Sequence, residues 1–117
     1  MKTIEEIKEI IVAWGKSLPF SVRLHLFGSL VNGNFDPSKS DVDVCLEFLE
    51  ATYHYRNEQR LVRSLWIELH RGWEIDLTRK LGMKAHLTLH RSDNKYIQAA
   101  LRKGSLVVYT AEEKADE

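Results

Sequence analysis

Residues 26–48 read "LFGSLVNGNFDPSKSDVDVCLEF". A hydrophobic run stops at Gly28-Ser29, a turn-rich stretch follows, and Asp41 and Asp43 open a second hydrophobic run. Before the glycine, "SVRLHLF" (21–27) alternates, with Val22, Leu24 and Leu26 on one side and Arg23, His25 and Phe27 on the other. That is the period of a half-buried strand, and Gly-Ser is a natural terminator. After the loop, "DVDVCLEF" (41–48) alternates the same way: Val42, Val44, Leu46 and Phe48 on one side, Asp41, Asp43, Cys45 and Glu47 on the other. Two acids spaced two apart on a strand point to one face, roughly 7 Å from each other. Left without a counter-charge they would raise each other's pKa. The stretch therefore reads as strand, turn, strand, with an anionic patch at the second strand's mouth.

Working outward, Thr3 and Glu6 have the spacing of a capping box. Behind them Ile4, Ile7, Ile11, Trp14 and Leu18 recur at helical spacing, which predicts a helix over 4–17, ended before Pro19. Leu61, Leu65 and Leu69, with Val62 and Trp66 beside them, predict a second long helix over 53–71, with Gly72 as its stop. "WEIDLT" (73–78) alternates and predicts a third strand: Trp73, Ile75 and Leu77 inward, Glu74, Asp76 and Thr78 outward. Residues 80–91 carry no element that the pattern decides. A helix from about Asn94 to Lys103, closed by Gly104, and a short "LVVY" strand complete the chain. The fold class implied is α/β (α+β), a small mixed β-sheet packed by helices. Residues 1–110 are expected to form a single domain and 111–117, rich in charge, a flexible tail.

Composition narrows the function. A chain of 117 residues with zero formal net charge gives no strong sign of direct nucleic-acid binding. The apolar run Ile10–Trp14 is too short to span a bilayer, and "MKTIEEIKEI" has no signal-peptide core. The single cysteine, Cys45, makes no internal disulfide, so a reducing, cytoplasmic setting is expected.

Chemistry concentrates on Asp41, Asp43 and Asp76. If the strand of Asp76 lies beside that of Asp43, three carboxylates converge, and a divalent cation resolves their repulsion. Hard oxygen donors select Mg²⁺ or Mn²⁺, which complete their shells with water and phosphate oxygens. Gly28 lets backbone approach a ligand closely, and Ser29 adds a hydroxyl at the head of a short helical turn. Phosphates there and metal at the aspartates together describe a nucleoside triphosphate site.

In that order of elements, "LFGS" (26–29), "SDVDV" (40–44) and "EIDL" (74–77) resemble the minimal nucleotidyltransferase domain of the DNA polymerase beta superfamily. The resemblance covers nearly the whole chain and implies the polymerase-beta-like fold. It implies that Gly28 and Ser29 bind the nucleotide's phosphates and that Asp41, Asp43 and Asp76 bind Mg²⁺. Asp76 would also help activate an attacking hydroxyl, with ATP as substrate. Many relatives place arginine soon after the Gly-Ser pair, where this chain has Leu30, Val31 and Asn32. The small size resembles the antitoxin half of prokaryotic toxin–antitoxin pairs, whose partner is an all-helical HEPN-type toxin that accepts AMP on a tyrosine. Two other functions stay open: a non-catalytic nucleotide-binding antitoxin acting by contact, and a nucleotidyltransferase acting on RNA or a small molecule.

Other residues read more plainly. Asp36 to Glu47 could suggest a calcium loop, but Asp41 stands where that loop needs glycine. His86 and His90, four apart, lack further metal ligands at matching spacing and read as surface or partly buried histidines. His25 reads as a satisfied packing residue, Cys45 as a buried spectator, and Arg56, Arg60 and Arg63 as a solvated helix face. Trp14, Trp66 and Trp73 read as core.

Overall fold

A computed structural model describes residues 2–33, 35–36, 39–49, 58–91 and 94–111, with only the backbone described for 58–62. Among the described residues eight elements follow in order: α1 (Ile4–Ser17), β1 (Val22–Phe27), α2 (Ser29–Asn32), β2 (Val42–Phe48), α3 (Glu58–Leu81), β3 (Ala85–Leu89), α4 (Lys95–Lys103) and β4 (Ser105–Thr110). The expected helix start at 53–57, Arg56 and the tail at 112–117 lie outside the described residues, as does the side chain of Arg60.

The four strands form one sheet in the order β3-β2-β1-β4. β1 runs antiparallel to both β2 and β4, and β2 runs parallel to β3, so the sheet is mixed. One face carries the core. Val22, Leu24 and Leu26 of β1, Val42, Val44, Leu46 and Phe48 of β2, and Ala85 and Leu87 of β3 pack against Ile7, Ile11 and Trp14 of α1 and Leu77 and Leu81 of α3. Trp66 and Trp73 pack at the border of this cluster. α1 begins with the expected capping box: Glu6 N–H donates to Thr3 Oγ1 (3.1 Å), and Thr3 N–H donates to Glu6 Oε1 (3.0 Å).

Two assignments are corrected. The long helix does not stop at Gly72, and "WEIDLT" is not a strand: both lie inside α3, which runs on to Leu81. Trp73 and Leu77 satisfy a two-residue and a four-residue period at once, and Leu81 extends only the helical one. Ile75, which a strand would turn inward, is 54% exposed. The glycine that ends the helix is Gly82, at φ +71°, whose N–H donates to Thr78 O (2.9 Å).

The true third strand is "AHLTL" (85–89), within the segment left undecided. It is an edge strand, and α3 covers its outer side. Ala85 N–H donates to Thr78 Oγ1 (3.0 Å) and Leu87 N–H to Glu74 Oε2 (2.9 Å), while His90 N–H donates inward to Leu46 O (2.8 Å). Unpaired edge groups invite association with other chains, and here two of them are satisfied internally. Leu77, fully buried between these two contacts, joins α3 to the sheet. Leu77→Ala is expected to cost about 2–5 kcal/mol. Thermal unfolding should fall by ~10 °C or more.

Candidate functional site

β1 ends at Phe27, whose register partner on β2 is Asp43. Gly28 follows at φ +76°, ψ −149°, a conformation that belongs almost entirely to glycine. Its carbonyl accepts from Val31 N–H (3.1 Å) and Asn32 N–H (3.0 Å), and so founds the single turn of α2 that Ser29 opens. The conformation brings the Gly28 α-carbon against the Asp43 carboxylate. A Cβ built on Gly28 would collide with Asp43 Oδ2. Gly28, expected from sequence to bind phosphate, thus lies directly against the carboxylate expected to bind metal.

Asp41 stands just before β2 and is exposed. Between Gly33 and Asp41, Ser40 N–H donates to Asp36 O (2.7 Å), and Asp36 N–H donates to Ser40 Oγ (3.0 Å). Residues 42–47 of the considered calcium loop belong to β2, which rules that loop out. The side chain of Asp43 is only 25% exposed. Burial raises its pKa above the ordinary carboxylate value; His86 nearby opposes the shift, and Asp41 adds to it.

The third position differs from expectation. Asp76 lies on the outer side of α3, about half exposed, with Oδ1 3.8 Å from Lys80 Nζ. The strand that was to carry it to the site does not exist. Glu74 and Thr78, four apart, share the helix face that grips β3, and Asp76 between them points elsewhere. The residue opposite Asp43 on β3 is His86, with Nδ1 3.5 Å from Asp43 Oδ1. An exposed i,i+4 ion pair contributes little. Asp76→Asn is therefore expected to leave nucleotidyl transfer within about twofold, and stability within about 0.5 kcal/mol. A loss of transfer as deep as that of an Asp43 variant would return Asp76 to the site.

Farther along the same face, His25 Nε2 lies 3.0 Å from Glu47 Oε1, Arg23 Nη1 lies 3.3 Å from that oxygen, and the rings of His25 and His90 stack. His25 is thus a satisfied, buried polar residue. Sequence spacing had paired His90 with His86, whereas the sheet pairs it with His25. Cys45 is fully buried, and burial beside the Glu47 charge pushes its thiol up to about 12, so it is no nucleophile at neutral pH.

The donor chemistry fits a hard divalent cation. Asp41 and Asp43 offer two carboxylates, one of them held in partial burial that disfavours its charge.

Comparison with known proteins follows this geometry. The family described as nucleotidyltransferase domain matches residues 4–103. No curated protein sequence matches the chain significantly. Among solved structures, a crystal structure of a toxin–antitoxin with AMP-PNP matches with a TM-score of 0.62 and 16% identity, over 90% of this chain and 74% of that one. The likeness is one of fold: a mixed four-stranded sheet with helices in the polymerase-beta-like arrangement. Among the described residues, no helix is long and apolar enough to cross a membrane.

Proposed function

The chain belongs to the nucleotidyltransferase domain family, and from that premise we propose that it transfers AMP from ATP to a hydroxyl of a partner protein, a tyrosine of a HEPN-type toxin. The contact between Gly28 and the Asp43 carboxylate carries this reading. It supports a reading in which Gly28 takes phosphate beside a carboxylate that takes metal, the adjacency that transfer at an α-phosphorus requires. The toxin–antitoxin relative with its ATP analogue supports both the partner class and the nucleotide.

In the proposed reaction Gly28 and Ser29 hold the distal phosphates, Ser29 through its hydroxyl. Asp41 and Asp43 would hold Mg²⁺, or Mn²⁺, which when bound supplies neutralisation of charge on the phosphates and the leaving pyrophosphate. The acceptor hydroxyl attacks the α-phosphorus in line, its proton passes to solvent, the bond from the α-phosphorus to the oxygen bridging to the β-phosphorus breaks, and pyrophosphate departs with that oxygen. Catalysis is mostly positioning and charge complementarity. Among the described residues, His86 lies beside Asp43 and stands where the resemblance asks for a third carboxylate.

The test is direct. The protein, the product of its neighbouring gene, ATP and Mg²⁺ are mixed, and the partner is weighed by intact-mass spectrometry. Gain of one or more AMP units on the partner is expected. A labelled product formed without the partner would instead make RNA or a small molecule the acceptor. His86 in place of a carboxylate favours one second reading, a nucleotide-binding antitoxin that silences its partner by contact. Tight complex formation without a mass change, persisting in an Asp41→Asn/Asp43→Asn variant, would decide for it.

A further inference from the structure

The polar face of the sheet holds a second set of donors that the proposed transfer does not use. His25 on β1, Glu47 on β2 and His90, just past β3, each present one ligand atom, and the three atoms lie within 4.8 Å of one another. They come from two adjacent strands and the residue that follows the third, so the sheet brings them to one face. One edge of the triangle, His25 Nε2 to Glu47 Oε1, is 3.0 Å. The imidazoles of His25 and His90 stack with centroids 5.4 Å apart and planes 14° apart, so one ring must turn about its χ2 torsion before both nitrogens address one ion.

We propose that His25, Glu47 and His90 form a binding site for a divalent transition-metal ion, Zn²⁺ foremost. Two imidazoles and one carboxylate are a borderline donor set suited to Zn²⁺ and poorly suited to Mg²⁺. Donors bound at about 2.0–2.1 Å in a tetrahedral array sit about 3.4 Å from one another. The short edge already meets that spacing. The others must close by at most about 1.4 Å, within reach of side-chain torsions at Glu47 and His90, neither of which is fully buried. The backbone under His90 stays fixed by its bond to Leu46 O.

Neighbours outside the triangle bear on the ion. Gln98 Nε2 of α4 lies 3.4 Å from His90 Nε2 and donates to Arg91 O (3.0 Å), which restrains the ring. Arg23 shares Glu47 Oε1 with His25 and must release it to the metal. Its side chain, 38% exposed, has solvent to turn into. The site is separate from the aspartates: Glu47 and Asp43, four residues apart on one strand, lie about 13 Å from each other. An ion there would clip three strands together and keep a fourth position for water. The proposal does not depend on nucleotide transfer.

The experiment uses the tag-free full chain, stripped with EDTA and titrated with Co²⁺ as a visible probe, then with Zn²⁺ and Mg²⁺. One Co²⁺ per chain is expected, displaced by Zn²⁺ but not by excess Mg²⁺, with Zn²⁺ raising Tm by about 5 °C or more. His90→Gln, chosen because this side chain is only partly buried, should weaken binding at least about tenfold, as should Glu47→Gln. His86→Gln should leave binding intact. Absence of stoichiometric Co²⁺ or Zn²⁺, or binding that His90→Gln spares and His86→Gln removes, overturns the site.

Discussion

Asp43→Asn will lower nucleotidyl transfer by about 10³-fold or more, and in metal-free buffer near neutral pH the same variant will melt a few degrees higher than the parent chain. The activity loss follows from removing the anionic donor that lies against Gly28. The stability gain follows from burial. Asp43 has a folded pKa above its ordinary value, so the folded chain binds its proton more tightly than the unfolded chain does. Stability from that group is fully present below the ordinary carboxylate pKa and is lost as pH rises through the raised one. Asparagine does not titrate and escapes the loss. The difference in Tm should therefore shrink as pH falls below the ordinary range, and a divalent cation should raise the Tm of the parent much more than that of the variant. Melting curves in EDTA and in Mg²⁺ between acid and neutral pH, with pyrophosphate release as the activity readout, check all three. A variant that is less stable at neutral pH, or that keeps full transfer, contradicts the assignment of Asp43.

Gly28→Ala should fail in two coupled ways. The backbone at φ +76°, ψ −149° costs a non-glycine residue about 1–3 kcal/mol. The new methyl also collides with Asp43 Oδ2. Escape requires displacing the carboxylate, and a misplacement of ~1 Å at such a group costs about 10²-fold in rate. A double-mutant cycle separates the two effects. In Gly28→Ala/Asp43→Ala the collision is relieved and only the backbone strain remains, so the double variant should be more stable than the sum of its single changes requires. Transfer should stay absent in it. Additive stabilities would mean that the two residues do not touch.

How much of this was legible in the sequence depended on the distance over which each feature is decided. Gly28, Ser29, Asp41 and Asp43 lie in one strand–turn–strand unit, where alternation and a terminating glycine are local signals, and the structure brings Gly28 and Asp43 into contact. Asp76 was misplaced because "WEIDLT" satisfies two periods at once. Hydrophobic alternation is visible in six residues, whereas the helical repeat Leu65, Leu69, Trp73, Leu77, Leu81 is visible only when followed across the glycine taken as a stop. Sheet packing decided between them, burying Leu77 and Leu81 and leaving Ile75 outside. His86 was visible as a residue but not as a neighbour of Asp43, because its place is set by the register of a parallel pair whose strands are separated in sequence by a 24-residue helix. The convergence of His25, Glu47 and His90 is hidden for the same reason.

The two hydrogen bonds from α3 to the edge of β3 also act as a gauge. Four helical residues rise about 6.0 Å and two strand residues span about 6.6 Å, so Glu74 and Thr78 match Leu87 and Ala85 and no odd offset. Sliding β3 by one residue would strand both side-chain oxygens opposite the wrong edge and turn His86 into the apolar layer. The helix therefore proofreads the strand. Residues of α3 on the far edge of β3 decide which side chain stands beside Asp43, and a change at Glu74 or Thr78 would surface as an error at the carboxylates.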